Sequence, residues 1–232
     1  MSTATKAAKA TTTGTGTDVT ADVWTALGTV RDPELDRPIT DLKFVSEVSA
    51  EDGHVRVRLR LPTYFCAPNF AYLMVDDARR AVAGLPGVTG VEVVLEDHFA
   101  SGEINDGVAA GEGFEAAFDG LAAGELGGLR RVFLRKGYLA AQERVCAGLA
   151  DPDVRLDDVP DSPAKEAFLL RRAELGLDCA PDAYVLADPD GEHVPAGRAT
   201  RYLRFARTVR ISMESNEEYC RGLLRIRYEE RT

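Results

Sequence analysis

Residues 20 to 100 predict a two-layer α/β (α+β) domain of order helix-strand-strand-helix-strand, and residues 101 to 232 predict a mainly α-helical region appended to it. Three observations carry this. Val55, Val57, Leu59 and Leu61 alternate with Arg56, Arg58 and Arg60 at strict period two, the pattern of a strand with one wet face. Phe70, Leu73, Met74, Ala78, Ala81, Val82 and Leu85 share one helical stripe. Beyond Asp97 the apolar spacing turns helical.

Residues 1 to 19 are rich in Thr, Ala and Gly with little to bury, so they predict a disordered tail. Val23, Leu27 and Val30 then recur at helical spacing behind Thr20 as cap, and Pro33 stops the pattern. Lys43 to Ser49 predicts a strand, Glu51-Asp52-Gly53 a turn, and the alternating run its hairpin partner. The striped helix ends at Gly84-Leu85-Pro86-Gly87, and Val88 to Leu95 completes the unit as a strand. A Gly-rich stretch, 101 to 113, leads to Phe114, Ala117, Phe118 and Leu121, then to a long helix from Leu126 through Leu129 and Phe133 to Leu149. The acidic connector 151 to 160 precedes a helix starting near Pro163, a good first-turn residue. After a loop from Ala187 to Gly197, Tyr202, Phe205, Ala206 and Val209 form one helical face, and Asn216 to Tyr228 a final helix.

The chain has 232 residues and a formal net charge of -10, which argues against nucleic acid as partner. Its first residues hold two lysines but no apolar core of a secretory signal, and no run of about eighteen apolar residues follows, so neither export nor a membrane is expected. A cytoplasmic protein with reduced thiols is the expectation. The four cysteines, Cys66, Cys146, Cys179 and Cys220, form no CxxC pair, so no self-contained metal site is written locally. No hydrolase elbow, P-loop, dinucleotide fingerprint or paired-His motif is present, and a non-enzyme is expected.

Pro68 stands where a first helical residue would, which places Cys66 just ahead of the striped helix. There the unpaired N–H groups and the positive dipole end favour a thiolate, the form that binds soft metals and attacks electrophiles. The alternative is a buried free cysteine acting as a small hydrophobe. Asp32 and Glu34 flank Pro33 in a segment that cannot continue as helix. They either cap their own loop or supply oxygen ligands beside Cys66. His98 is expected to be a surface residue and His54 to sit by the hairpin turn; these two are the base candidates for a thiol-dependent enzyme. Cys146 is expected to pack in a core, and Cys179 and Cys220 to be bystanders in the helical half. Arg198, Arg201, Arg204, Arg207 and Arg210 recur every third residue and spiral around their helix, as a solvated flank or a surface for an acidic protein partner.

Residues 21 to 97 carry three motifs in order: Val30-Arg31-Asp32-Pro33-Glu34-Leu35 with Ile39-Thr40-Asp41-Leu42-Lys43-Phe44-Val45; Leu61 with Cys66 five residues on; and Pro86-Gly87-Val88-Thr89-Gly90-Val91-Glu92-Val93. Together these resemble the small metal–sulfur cluster assembly factors that include the PaaD-type proteins of phenylacetate degradation and SufT. The chain departs from that pattern with Pro62 in place of a Thr, Ala67 before Pro68 in place of a Pro, and Lys43 in place of a Gly. The resemblance implies an accessory factor that assembles or delivers iron–sulfur or related metal centres to a client. It implies a transient cluster or iron at Cys66 with Asp32 and Glu34 as metal-ligand candidates, and its PaaD-type branch implies an oxygenase, or its maturation machinery, as the client. Arg201, Arg204 and Arg207 are the partner-binding candidates, and a homodimer fits the same picture. The competing class is a structural interaction protein that keeps the fold without metal.

Overall fold

Alternation at 54 to 60 is realised as a central strand with Val55, Val57 and Leu59 buried on one side and arginines on the other. The computed structural model describes residues 16–111, 113–118, 126–147, 149, 151 and 153–229. Helix α1 (Gly16–Leu27) is followed by the two-residue strands β1 (Arg31–Asp32) and β2 (Arg37–Pro38), an antiparallel clip around the Asp-Pro-Glu turn. Then come β3 (Val45–Glu51), β4 (His54–Arg60), α2 (Pro68–Ala83) and β5 (Gly90–Glu96). The sheet order is β3-β4-β5, antiparallel between β3 and β4 and parallel between β4 and β5. On its apolar face, α1 lies against β3, and α2 and α3 (Ser101–Ala110) lie against β5. On its wet face, Arg56, Arg58 and Arg60 pair with Glu92, Glu47 and Glu96.

The predicted two-layer unit is thus observed, and four local expectations are corrected. α1 starts one turn before Thr20, because Val19 extends the stripe of Val23 and Leu27 onto the same core. Residues 1 to 15 of the expected tail, like Leu121, lie outside the described residues. The Gly-rich stretch from 101 is helical: Ile104 and Val108 are buried against α2 and β5, and Asn105 clamps the Leu95 N–H and C=O, a tertiary gain that outweighs the helix cost of glycine. The last two predicted helices are one, α7 (Ala196–Tyr228), and Phe205, expected on one helical face with Tyr202, Ala206 and Val209, is 59% exposed while Ala206 is buried. Lys43, standing where the resemblance has glycine, adopts φ +61, the left-handed conformation that glycine enters without cost.

The helical half adds α4 (Phe114–Ala117), α5 (Leu126–Cys146) and α6 (Pro163–Leu175), the last opened by the Ser162 side chain accepting from the Lys165 N–H. α5 packs on α6 and α7 around a second core in which Tyr138 stacks on Phe168 at 5.5 Å. Tyr138 and Tyr202 both donate to the Ala187 carbonyl. The first core reaches past residue 100 to take in Ile104, Val108, Phe118 and Leu224. Arg171 of α6, 2% exposed, pairs with Asp36 in the clip, and α5 passes so close that a Cβ on Gly137 would meet the Asp36 carboxyl at 2.9 Å. No helix among the described residues is long and apolar enough to cross a membrane.

Candidate functional site

Parallel pairing of β4 and β5 brings their C-terminal ends side by side, with Arg60 opposite Glu96, so the loops after both strands emerge together. The chain entering β3 joins them, Arg60 N–H donating to the Phe44 carbonyl at 2.8 Å. The open end of a parallel pair is where α/β folds gather reactive side chains. Cys66 sits here, in the loop from Leu61 to Ala67 that leads into α2. Pro68 takes the first turn as expected, and no side chain caps the helix. The half-buried thiol lies 3.3 Å from the Thr63 hydroxyl.

The two loops are laced by two hydrogen bonds, and a third, inside the loop after β5, fixes the His98 ring. Phe99 N–H donates to the Tyr64 carbonyl at 3.2 Å, and the Ala100 N–H donates to His98 Nδ1 at 3.2 Å. Nδ1 is therefore an acceptor, so Nε2 carries the proton and donates to the Cys66 carbonyl at 2.7 Å. His98 is only 3% exposed, which corrects its reading as a surface residue. Burial, with help from Arg227, holds it below its ordinary range although the bond to Cys66 pulls the other way. Both ring nitrogens are engaged away from the thiol, and His54 lies at the opposite end of β4, so neither histidine stands as a base to Cys66.

Asp32 is buried, and its Oδ1 accepts from the Glu34 and Leu35 N–H groups at 2.9 and 2.8 Å. Burial pushes its carboxyl up to about 6, with the nearby Glu34 and Asp36 charges adding and the two N–H bonds opposing. Glu34 accepts from Asn216 of α7 at 3.4 Å. The last turns of α7 cross the loops here. Arg221 donates to the Asp41 carbonyl at 2.7 Å, Leu224 is buried in the first core, and Arg227 donates to the Leu61 carbonyl at 3.1 Å.

Between these contacts lies Cys220, a residue for which the sequence holds no signal beyond its spacing. Burial pushes its thiol up to about 11, and Asp32, Cys66 and Glu34, all within electrostatic reach, push the same way. Cys66 and Cys220 thus pack on the same core, and Glu34 touches α7 one turn before Cys220. Among the described residues no three His, Cys, Asp or Glu side chains are arranged as a ready metal cage. Cys146 is buried in the second core, its thiol pushed up to about 12 by burial, and Cys179 is exposed on that half.

Beside Cys66 the surface is aromatic. Phe65 is 76% exposed and its ring lies 5.0 Å from Tyr64 and 5.9 Å from Phe99, each of these half exposed. Arg201, Arg204 and Arg207 are on the other half of α7, exposed and without an ion pair among the described residues. Arg210 differs: it is pinned to Glu143 and Glu214. A separate cavity of about 280 Å³ under the clip is lined by Arg31, Asp32, Asp77, Arg130 and Phe133, and there Arg130 is already paired with Asp77.

Residues 20–93 match the model of a family described as iron-sulfur cluster assembly protein. The chain is 40% identical over 80 residues to a protein of Mycobacterium bovis named iron-sulfur cluster carrier protein, covering 34% of this chain and 20% of that one. It is 36% identical over 86 residues to an uncharacterized protein of Methanocaldococcus jannaschii, covering 37% of this chain and 88% of the other. A Synechocystis protein named iron-sulfur cluster carrier protein is 28% identical over 148 residues, 60% of this chain and 38% of its own length. The chain thus spans about a fifth of the length of its mycobacterial relative. No solved structure matches the chain.

Proposed function

The chain belongs to the iron–sulfur cluster assembly protein family through its first unit, and from that membership we propose that it assembles iron–sulfur centres or delivers them to a client protein, with Cys66 as the thiolate that contacts the cluster in transit. The observation that carries this reading is the position of Cys66: a half-buried thiol at the open end of the β4–β5 pair, ahead of an uncapped helix and beside an exposed aromatic patch. A cluster needs more ligands than one thiolate. Those missing come from the client, a second copy of the chain or a small thiol, with Asp32 and Glu34 as oxygen donors at hand, so the cluster is held loosely enough to pass on. The likeness of the first-unit motifs to the PaaD-type branch supports an oxygenase, or its maturation machinery, as client.

Anaerobic reconstitution with iron and sulfide tests the reading. The wild type is expected to develop thiolate-to-iron absorption, Cys66→Ser to lose it, and Cys146→Ser and Cys179→Ser to keep it. Equal absorption in the wild type and Cys66→Ser would remove Cys66 from the site and favour an interaction protein that keeps the fold without metal.

The first half of α7 is proposed as the docking surface for an acidic client, supported by three exposed arginines with no ion pair among the described residues. Reversing the charge at Arg201, Arg204 and Arg207 together is expected to weaken client binding by about tenfold or more, mainly through slower association, while shifting stability by less than about 1 kcal/mol. Pull-down titration against salt, with a thermal melt of the same variant, measures both; unchanged affinity removes the docking role.

A further inference from the structure

We infer that Cys220 is the second protein ligand of the cluster site, so that the first unit and the appended helix α7 each supply one thiolate to a single iron–sulfur cluster. This deepens the reading above and rests on it. The argument starts from helix geometry. Residues 216, 220, 224 and 227 lie on one face of α7, since steps of four and three residues return to nearly the same side. Three of them are located by contacts: Asn216 reaches Glu34, Leu224 is buried in the first core, and Arg227 reaches the Leu61 carbonyl, five residues before Cys66. Arg221 adds a fourth fixed point at the Asp41 carbonyl. Cys220 is thereby held between the Asp-Pro-Glu turn and the Cys66 loop, and both cysteines pack half-buried on the same core.

Thiolate is the ligand that iron–sulfur clusters take. Two thiols from segments more than 150 residues apart, packed on the same core, meet that need where a single thiol does not. Two of four positions filled from one chain leave two for the receiving protein, the arrangement that suits a cargo and not a resident cofactor. Binding replaces the proton on each thiol by an iron–sulfur bond and releases the protons to solvent, with no change in oxidation state at the cysteines.

The test uses the full chain, reconstituted anaerobically with iron and sulfide and freed of unbound iron. Cys220→Ser is expected to retain about a tenth or less of the wild-type bound iron and absorption, as Cys66→Ser does, with Cys146→Ser and Cys179→Ser unchanged. Cys220→Ala, which keeps the helix and removes any oxygen donor, is expected to match Cys220→Ser. In the loaded wild type, alkylation should be blocked at both Cys66 and Cys220 and remain open at Cys179. If Cys220→Ser and Cys220→Ala load like the wild type and Cys220 alkylates freely when loaded, the second-ligand assignment falls while the Cys66 reading stands. If Cys66→Ser also loads normally, both fall. Should the Cys220 variants melt at lower temperature, the alkylation pattern of the loaded wild type decides alone: an unprotected Cys220 overturns the proposal.

Discussion

Arg171→Ala is expected to lower stability by about 3–5 kcal/mol, and the melting temperature by roughly 10 °C, the largest loss expected from a single polar side chain here. Arg171 is 2% exposed, and its guanidinium contacts Asp36 Oδ1 at 2.6 Å and Oδ2 at 3.0 Å, with Glu174 as a further partner. It comes from α6, whereas Asp36 belongs to the clip that carries Asp32 and Glu34, so the pair ties the helical half to the site. Truncation leaves Asp36 packed against Gly137, with Arg31 at 3.8 Å as its remaining ion pair among the described residues. The cost arises from the stranded charge and not from the strength of the pair. Combining Arg171→Met with Asp36→Asn is therefore expected to recover most of the loss, since exchanging a buried pair for neutral groups of similar volume is often close to neutral. Chemical denaturation of the three proteins measures this. A loss below about 1 kcal/mol for Arg171→Ala would show that the two halves are not locked at this point.

That contact also marks the limit of what the sequence makes legible. Period-two alternation from 55 to 61 and the stripe from Phe70 to Leu85 report directly which side of an element is buried, and the sheet and α2 follow from them. Pro68 places the head of α2, and with it Cys66, by a purely local rule. The helix at 101 to 110 was hidden because its glycines speak against it locally and only contact with α2 and β5 reverses the balance. α7 looked like two helices because Ile211 to Asn216 has no clear apolar stripe, yet Met213 is buried there and Arg210 ties that turn to Glu143 of α5. At the site, Cys66 was legible from position, whereas His98 and Cys220 were not. The burial of His98 depends on the Cys66 loop closing over it, and the placement of Cys220 depends on α7 returning across the first unit after more than 100 intervening residues. Neither leaves a trace in local spacing.

Asp32→Asn is expected to raise stability by about 3 kcal/mol at neutral pH, or roughly 6 to 12 °C in melting temperature, and by nothing at pH below 4. The carboxyl is buried and pushed from 3.8 to about 6, so the folded protein holds its proton more tightly than the unfolded chain. Its stabilising contribution is complete below the unfolded value, is lost as pH rises through about 6, and stays lost above. Asparagine keeps a carbonyl oxygen for the Glu34 and Leu35 N–H groups and carries no charge to bury. The gap between variant and wild type should therefore open between pH 4 and 6 and remain flat beyond. His98 works in the opposite sense, since burial lowers its folded value and its contribution to stability is present above the ordinary histidine range and lost as pH falls through it, but it is common to both proteins and cancels in their difference. Asp32→Ala separates charge from hydrogen bonding: it abolishes the acceptor, strands the N–H of buried Leu35, and should fall about 2–4 kcal/mol below Asp32→Asn. Thermal melts at half-unit pH steps from 4 to 8 give all three curves. An asparagine variant less stable than wild type at pH 7 would mean that the Asp32 charge is satisfied in the fold, and the burial argument would fail. If Asp32→Asn is more stable yet loads less iron, the carboxylate is retained as a ligand; if it loads as much, Asp32 serves only to shape the loop that faces Cys66.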